Sequence, residues 1–336
     1  MIKHFTKIQL VALNRMRERF LNGTAGAQDY WRFEEDLALY DSTFGERIGW
    51  KWDAVLRELG RRGWAPQSVH AIDWGCGTGI AGRRALTEWP QLKTLALHDR
   101  SPLALRYATD RARESFPGVE VHRFAKKCEP NTLLLVSHVA NELTPAALEE
   151  LLALAAQARD VVWVEAGTHA DSRRLSEIRE RLLAGGFTVV APCTHQARCG
   201  MLTPENERHW CHHFAGPPPE AFQDARWAEY GKELSIDLRS LPYSFFVLSR
   251  AAAPPVAGFS RVIGEVREAK GYCKVLSCQA EGVSEFMLQK RDAPELHREL
   301  RKGHEAPIYR WTVDDGKIKG GEPLPVSGVE TPPDHA

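Results

Sequence analysis

The sequence predicts an α/β chain built on a Rossmann-type parallel sheet, with helices before it and a small β-rich module after it. Three observations carry this: short apolar runs alternating with capped helical segments from Val69 onward, a glycine-rich turn directly after the first run, and a composition shift beyond Arg250. Alternating strands and helices of this kind build parallel sheets covered on both faces.

Residues 1–66 place Trp52, Val55, Leu56 and Leu59 at helical spacing and contain no strand-like run, so they read as a helical N-terminal segment. The sheet follows in residues 67–250. Its expected strands are Val69–Asp73, Thr94–His98, Val119–Phe124, Thr132–Ser137, Val161–Glu165, Phe187–Ala191 and Tyr243–Ser249. Ser101-Pro102 and Thr144-Pro145 each set a capping hydroxyl before a proline at the first helical position. A further helix is expected from Asp171, with Leu175, Ile178 and Leu182 on one face and Gly185 closing it. The last two strands are separated by an insert, residues 192–242, and inserts of that length are usually functional. Ala-Ala-Ala-Pro-Pro after Arg250 reads as a linker, residues 257–320 as a β-rich module, and residues 321–336 as a disordered tail.

With 336 residues, 43% of them hydrophobic, and no apolar run approaching the roughly 20 residues of a bilayer span, the chain reads as soluble. The N-terminus lacks the features of a secretory signal. A cytoplasmic location follows, or the mitochondrial matrix if the source is eukaryotic. Lys and Arg number 44 against 44 Asp and Glu, so any nucleic-acid contact must be local. Candidate phosphate contacts are Arg173, Arg174, Arg179 and Arg181 on one helix and Lys290, Arg291, Arg298, Arg301 and Lys302 in the terminal module, although acidic neighbours make both ordinary solvated faces as well.

Ala71-Ile72-Asp73-Trp74-Gly75-Cys76-Gly77-Thr78-Gly79 is a strand end, an acid and a Gly-x-Gly-x-Gly turn leading into a helix. Glycines permit positive φ and close backbone approach to a ligand. Twenty residues beyond Gly79, Asp99 ends the second strand, where a carboxylate can accept from ribose hydroxyls. Order and spacing resemble class I S-adenosylmethionine methyltransferases more than dinucleotide dehydrogenases, which makes Asp73, Gly75, Gly77, Gly79, Asp99 and Asn141 the candidate cofactor residues. Chemistry has less support: the place where amino methylases carry Asn-Pro-Pro-aromatic reads His138-Val139-Ala140-Asn141-Glu142-Leu143. No catalytic residue is assigned.

Seven cysteines without a signal peptide suggest metal binding or free thiols rather than a disulfide framework. Cys193, Cys199 and Cys211 fall close together in the insert, and a tetrahedral zinc site or a four-thiolate iron–sulphur cluster would draw its fourth ligand from Cys278 or Cys273. His195, His209, His212 and His213 could serve zinc instead.

Ala191-Pro192-Cys193-Thr194-His195 with Cys199, Trp210-Cys211-His212, and Cys278-Gln279-Ala280-Glu281-Gly282 together resemble the methyltransferase-like family of mitochondrial small-ribosomal-subunit proteins and their bacterial relatives. Asp99-Arg100-Ser101, Asn141-Glu142-Leu143 and Glu165-Ala166-Gly167-Thr168 extend the likeness over residues 70–282. Departures are Thr194 and Ala166, where the family usually has proline, and an additional His213. The resemblance implies a class I methyltransferase fold binding S-adenosylmethionine, a [4Fe-4S] cluster on Cys193, Cys199, Cys211 and Cys278, and action as a monomer with the small ribosomal subunit and its rRNA. Two other functions remain open on sequence: an active rRNA methyltransferase, and a small-molecule methyltransferase with a structural zinc.

Overall fold

The computed structural model describes residues 4–21, 31–252, 256–302 and 307–325. Three helices lead the chain: α1 (Lys7–Leu21), α2 (Glu34–Tyr40) and α3 (Glu46–Arg61). A π turn, Asp41–Gly45, joins the last two. Its Asp41 is held by Arg83 at 2.6 Å. One face of α3 buries Trp50, Trp52, Val55, Leu56 and Leu59, the face that its spacing predicts.

The main sheet comprises β1 (His70–Trp74), β2 (Thr94–His98), β3 (Glu120–Arg123), β4 (Thr132–Ser137), β5 (Asp160–Ala166), β6 (Thr188–Ala191), β7 (His213–Ala215) and β8 (Leu241–Ser249). Helices α4 (Ile80–Glu88), α5 (Pro102–Ser115), α6 (Pro145–Ala155) and α7 (His169–Ala184) make the crossovers. Strand order is β3-β2-β1-β4-β5-β8-β6, with β8 antiparallel to both neighbours and β7 paired to β8. One antiparallel strand wedged between the last two parallel ones is the class I methyltransferase arrangement. Two apolar layers cover the sheet, one containing Trp52, Leu95, Leu133 and Phe245, the other Leu134, Trp163, Ile178 and Phe246.

Local chemistry explains most boundaries. The Ser101 and Thr144 hydroxyls accept from the amides of Ala104 and Ala147, as capping requires. Helix α7 begins at His169 rather than Asp171, because the Thr168 hydroxyl accepts from the Asp171 amide and so makes Thr168 the cap. The insert is more ordered than its composition suggests: it supplies β7 and α8 (Ala225–Glu233), and Tyr230 of α8 packs with Phe44, Tyr40 and Leu37 of the leading helices.

The C-terminal module contains β9 (Ser260–Val262), β10 (Arg267–Ala269), β11 (Tyr272–Gln279), β12 (Gly282–Gln289), α9 (Pro294–Arg301), β13 (Ile308–Asp314) and β14 (Lys317–Pro323). Pairing runs β9–β11–β12–β14–β13 and back to β9, with β12 parallel to β14 and the other pairs antiparallel. A closed five-strand barrel in this order, with a helix between its third and fourth strands, has OB-fold topology. Strand β14 reaches Pro323, three residues into the segment expected to be a tail; residues 326–336 of that segment lie outside the described residues.

Candidate functional site

The C-terminal ends of β1, β2 and β4 open onto a cleft that includes Trp31, Tyr40, Gly75, Gly77, Asp99 and His138 in its lining. Ligands of open α/β sheets bind at this end. Gly75, Gly77 and Gly79 all have positive φ, at 71°, 53° and 79°. Space confirms the need for glycine: a Cβ on Gly75 would stand 2.5 Å from Val139 Cγ1, and one on Gly79 would stand 3.0 Å from Ala108 Cβ of α5. The turn is tied down by the amides of Gly75 and Cys76, which both donate to the His98 carbonyl at 2.8 and 2.9 Å.

Asp99 uses one oxygen on the Gly77 amide and the other on the Ser101 amide, each at 2.8 Å. The carboxylate is thereby fixed at the cleft wall with lone pairs to spare. Burial raises its pKa, and the two amides oppose that shift. Asp73 and Gly79 do not line the cleft. Asp73 is fully buried under the turn, accepting from the Gly82 amide at 2.9 Å, and burial pushes its pKa up to about 7. Gly79 serves the packing of α4 against α5.

Asn141 is placed otherwise than the sequence reading had it. The turn Ala140–Glu142 buries Ala140, whose amide is held by Glu165 Oε1 at 3.0 Å, and this leaves Asn141 exposed while Glu142 and Leu143 face the cleft. Several cleft residues were not among the cofactor candidates: Trp74 stacked on His98 with centroids 4.9 Å apart, Trp31, whose indole donates to Ser101 Oγ at 3.1 Å, and His138, a non-glycine residue at φ 54°. Burial, then Lys51 and Arg47, holds His138 well below the ordinary histidine range.

The cysteines converge. Cys199 and Cys278 pack together with Met201 and Ile263, and Cys211 packs against them. Burial first, and the nearness of Cys193 second, push the thiols of Cys199, Cys211 and Cys278 up. All seven cysteines are free thiols. Cys273 lies elsewhere, fully buried in the barrel core with Val275 and Leu288. Strand parity accounts for the difference: residues five apart on β11 point to opposite faces. His195 Nε2 lies 3.5 Å from Cys278 Sγ, and His213 Nε2 lies 3.7 Å from Cys211 Sγ. Among the described residues, no group of three or more His, Cys, Asp or Glu is arranged to hold a metal ion.

Cations surround the thiols. Arg179 lies near Cys193 and Cys199, and Arg261 near Cys211. Nε of both arginines and Oγ1 of Thr194 are buried without a partner among the described residues. Buried Glu58 bridges Arg62 and Arg261, while Arg62 donates to the carbonyls of Val190, Pro192 and Cys193. The arginines of the Arg173–Arg181 face already have partners among the described residues. Arg173 donates to the carbonyls of Met201, Asn206 and His209, Arg179 to that of Ala197, and Arg181 pairs with Glu149. In the module, Arg301 pairs with Glu268.

Sheet order and glycine turn define a protein of the class I methyltransferase fold. Several solved methyltransferases are similar to this chain at low identity. Magnesium protoporphyrin IX methyltransferase of Synechocystis, solved with bound S-adenosylhomocysteine, is 13% identical with a TM-score of 0.38, covering 72% of this chain and 99% of its own. Precorrin-6y C5,15-methyltransferase of Geobacter metallireducens is 15% identical with a TM-score of 0.35, covering 58% and 88%. The plantazolicin methyltransferase BamL is 10% identical with a TM-score of 0.40, covering 73% and 100%. No curated protein matches. The family described as mitochondrial small ribosomal subunit Rsm22 matches residues 52–306, and the chain belongs to it.

No helix among the described residues is long and apolar enough to cross a membrane.

Proposed function

We propose that this chain is an assembly or translation factor of the small ribosomal subunit that binds S-adenosylmethionine, holds a [4Fe-4S] cluster and contacts rRNA. The carrying observation is that the family match, residues 52–306, takes in the sheet, the insert and the barrel as far as α9, the segments that carry Cys199, Cys211 and Cys278 into one packed cluster. Its place of work is where small subunits are built, the cytoplasm or, in a eukaryotic source, the mitochondrial matrix.

Each group has fitting residues. Asp99 would accept from ribose hydroxyls, and the Gly75–Gly77 backbone would approach the amino-acid end of S-adenosylmethionine, where a Cβ on Gly77 would project to 3.8 Å from Trp31. When bound, that cofactor supplies an electrophilic methyl group. The position after β4 offers no side-chain amide to the cleft, since Asn141 is exposed, and this favours a binding role over catalysis.

Cys193, Cys199, Cys211 and Cys278 would hold the cluster. Thiolates on a cubane stand at the corners of a four-iron core rather than around one ion, so residues can suit it without forming a single-ion site. The net negative charge of a four-thiolate cluster suits the flanking Arg179 and Arg261. The partnerless Nε groups of these two arginines fit a ligand that accepts hydrogen bonds.

The test is gradient sedimentation of tagged protein from cells with parallel iron and sulphide analysis. Wild type should travel with small subunits or their precursors and the Cys199→Ser variant should leave them. Wild type that never co-sediments, even at low salt, refutes the ribosomal reading and promotes a small-molecule methyltransferase.

A further inference from the structure

A second cleft, of about 750 Å³, lies between the barrel and the loop that follows β6. Phe259, Phe286 and Trp311 supply aromatic wall, and Val313, 41% exposed, stands at its rim. Thr194, only 6% exposed, contributes a buried hydroxyl with no partner among the described residues. The Gln279 carbonyl oxygen accepts from Ser260 Oγ at 3.0 Å, which leaves an amide nitrogen from which no described residue accepts. Arg310 lies over the Phe259 ring, 4.5 Å from its centroid.

OB barrels commonly bind oligonucleotides on the outer face of their second and third strands. Here that face is already spent. Leu276, Cys278 and Val283 are packed against Cys199 and Met201 of the insert, and a Cβ on Gly200 would stand 3.1 Å from Gly282 Cα. Farther along, Lys274 and Arg267 are both paired with Glu285. The aromatic surface left open is the cleft at the β11–β12 loop end.

We propose that this cleft is a subsite for an unpaired nucleobase of single-stranded RNA, stacked on its aromatic wall and read at its edge by Thr194 and Gln279. The inference deepens the rRNA-contact reading and rests on it. A nucleobase joins a flat π face to a hydrogen-bonding edge, and this cleft offers both complements. An apolar side chain from a protein partner would satisfy the walls while leaving the Thr194 hydroxyl buried and unpaired, which costs binding energy. The Arg310 guanidinium, which lies over Phe259 and pairs with the exposed Glu322 at 3.6 Å, would have to exchange that partner to serve the adjoining phosphate. Because Thr194 follows Cys193 directly, the cysteine cluster sets one wall of the cleft against the other.

The experiment uses full-length, anaerobically purified protein and a fluorescent ten-nucleotide oligouridylate, read by anisotropy, with 4-thiouridine crosslinking to map the contact. Phe259→Ala should weaken binding about tenfold, the scale of one lost base stack. The salt dependence should keep its slope, because no phosphate contact has been removed. Val313→Asp, a change at an exposed rim position, should weaken binding without altering the melting temperature. Crosslinks should map to residues 256–260 or 309–313, and duplex RNA should not compete. Wild-type affinity in both variants, crosslinks confined to other segments, or effective competition by duplex would overturn the proposal. The two readings fail separately. Protein that co-sediments with small subunits while both variants bind oligouridylate normally refutes the cleft alone. Protein that never co-sediments, yet loses oligouridylate on Phe259→Ala, refutes the ribosomal reading alone.

Discussion

Glu58 is the side chain whose loss should be felt most widely. It lies on α3, its side chain only 2% exposed, and accepts from Arg62 Nε at 3.0 Å, from Arg62 Nη2 at 2.8 Å and from Arg261 Nη1. Arg62 and Arg261 are each 1% exposed. Arg62 caps the carbonyls that lead into Cys193, while Arg261 belongs to β9 and also donates to His213 Nδ1 at 3.2 Å. One carboxylate therefore compensates two guanidiniums at the junction of the leading helices, the cysteine insert and the barrel. Glu58→Gln keeps the shape but removes the charge. Breaking a buried ion pair at one partner costs about 3–5 kcal/mol. At about 2–4 °C per kcal/mol for a unit of 150–250 residues, the melting temperature should fall by roughly 6–20 °C. Differential scanning calorimetry at neutral pH reads this, with far-ultraviolet circular dichroism to check that the variant folds. The sign with pH also follows. Burial pushes the Glu58 carboxyl up, but Arg261 and Arg62 outweigh it and hold the pKa below the ordinary glutamate range. Its stabilisation is thus present above that range and disappears as pH falls through the depressed folded value, so wild type and variant should converge in acid. A Glu58→Gln protein melting within about 1 °C of wild type at neutral pH would refute the reasoning.

Three further outcomes are expected. Asp99→Ala should cost S-adenosylmethionine at least about tenfold in calorimetric affinity, since it removes the acceptor at the cleft wall and frees the Gly77 and Ser101 amides; identical titrations of variant and wild type would count against the cleft as its site. Protein purified without oxygen should be brown, with Cys278→Ser losing iron and Cys273→Ser keeping it, because Cys273 faces the barrel core; the reverse result would exchange the two ligands, and a colourless protein with tightly bound zinc would refute the iron assignment. Asp73→Asn should stabilise the protein relative to wild type more at about pH 8 than at about pH 5, because burial pushes Asp73 up to about 7 and a raised carboxyl loses its contribution as pH rises through that value; a difference in melting temperature that stays flat across this range would place the titration elsewhere.

What was legible in the sequence is what local chemistry decides. The order Asp73, glycine turn and Asp99 located the cleft because each member lies at the end of a short apolar run, and the turn needs positive φ where only glycine is unstrained. Asn141 was misplaced because nothing local says which of three consecutive residues on a tight turn faces a ligand; that depended on Glu165, on another strand, holding the Ala140 amide. Part of the basic helix face is buried for a related reason. Arg173 and Arg179 read as surface until the insert folds back and presents its carbonyls to them.

That Cys273 and Cys278 lie on opposite faces, by contrast, was legible from strand parity once β11 was taken as one unbroken strand. The barrel itself was the hardest element to see. It closes through β9, only three residues long, whose partners lie near residues 277 and 308, and through a β12–β14 register of two residue pairs. Such short strands carry almost no periodicity, and their pairing is a property of closure rather than of any one segment. A cluster on the four cysteines would supply what the short strands lack. Two of them, Cys193 and Cys199, follow β6, Cys211 precedes β7 and Cys278 ends β11, so a group bound to all four would close loops of up to 85 residues across three segments. The entropy of closing such loops falls on the unfolded chain, so a bound cluster would add to the folding stability of the barrel and the sheet together.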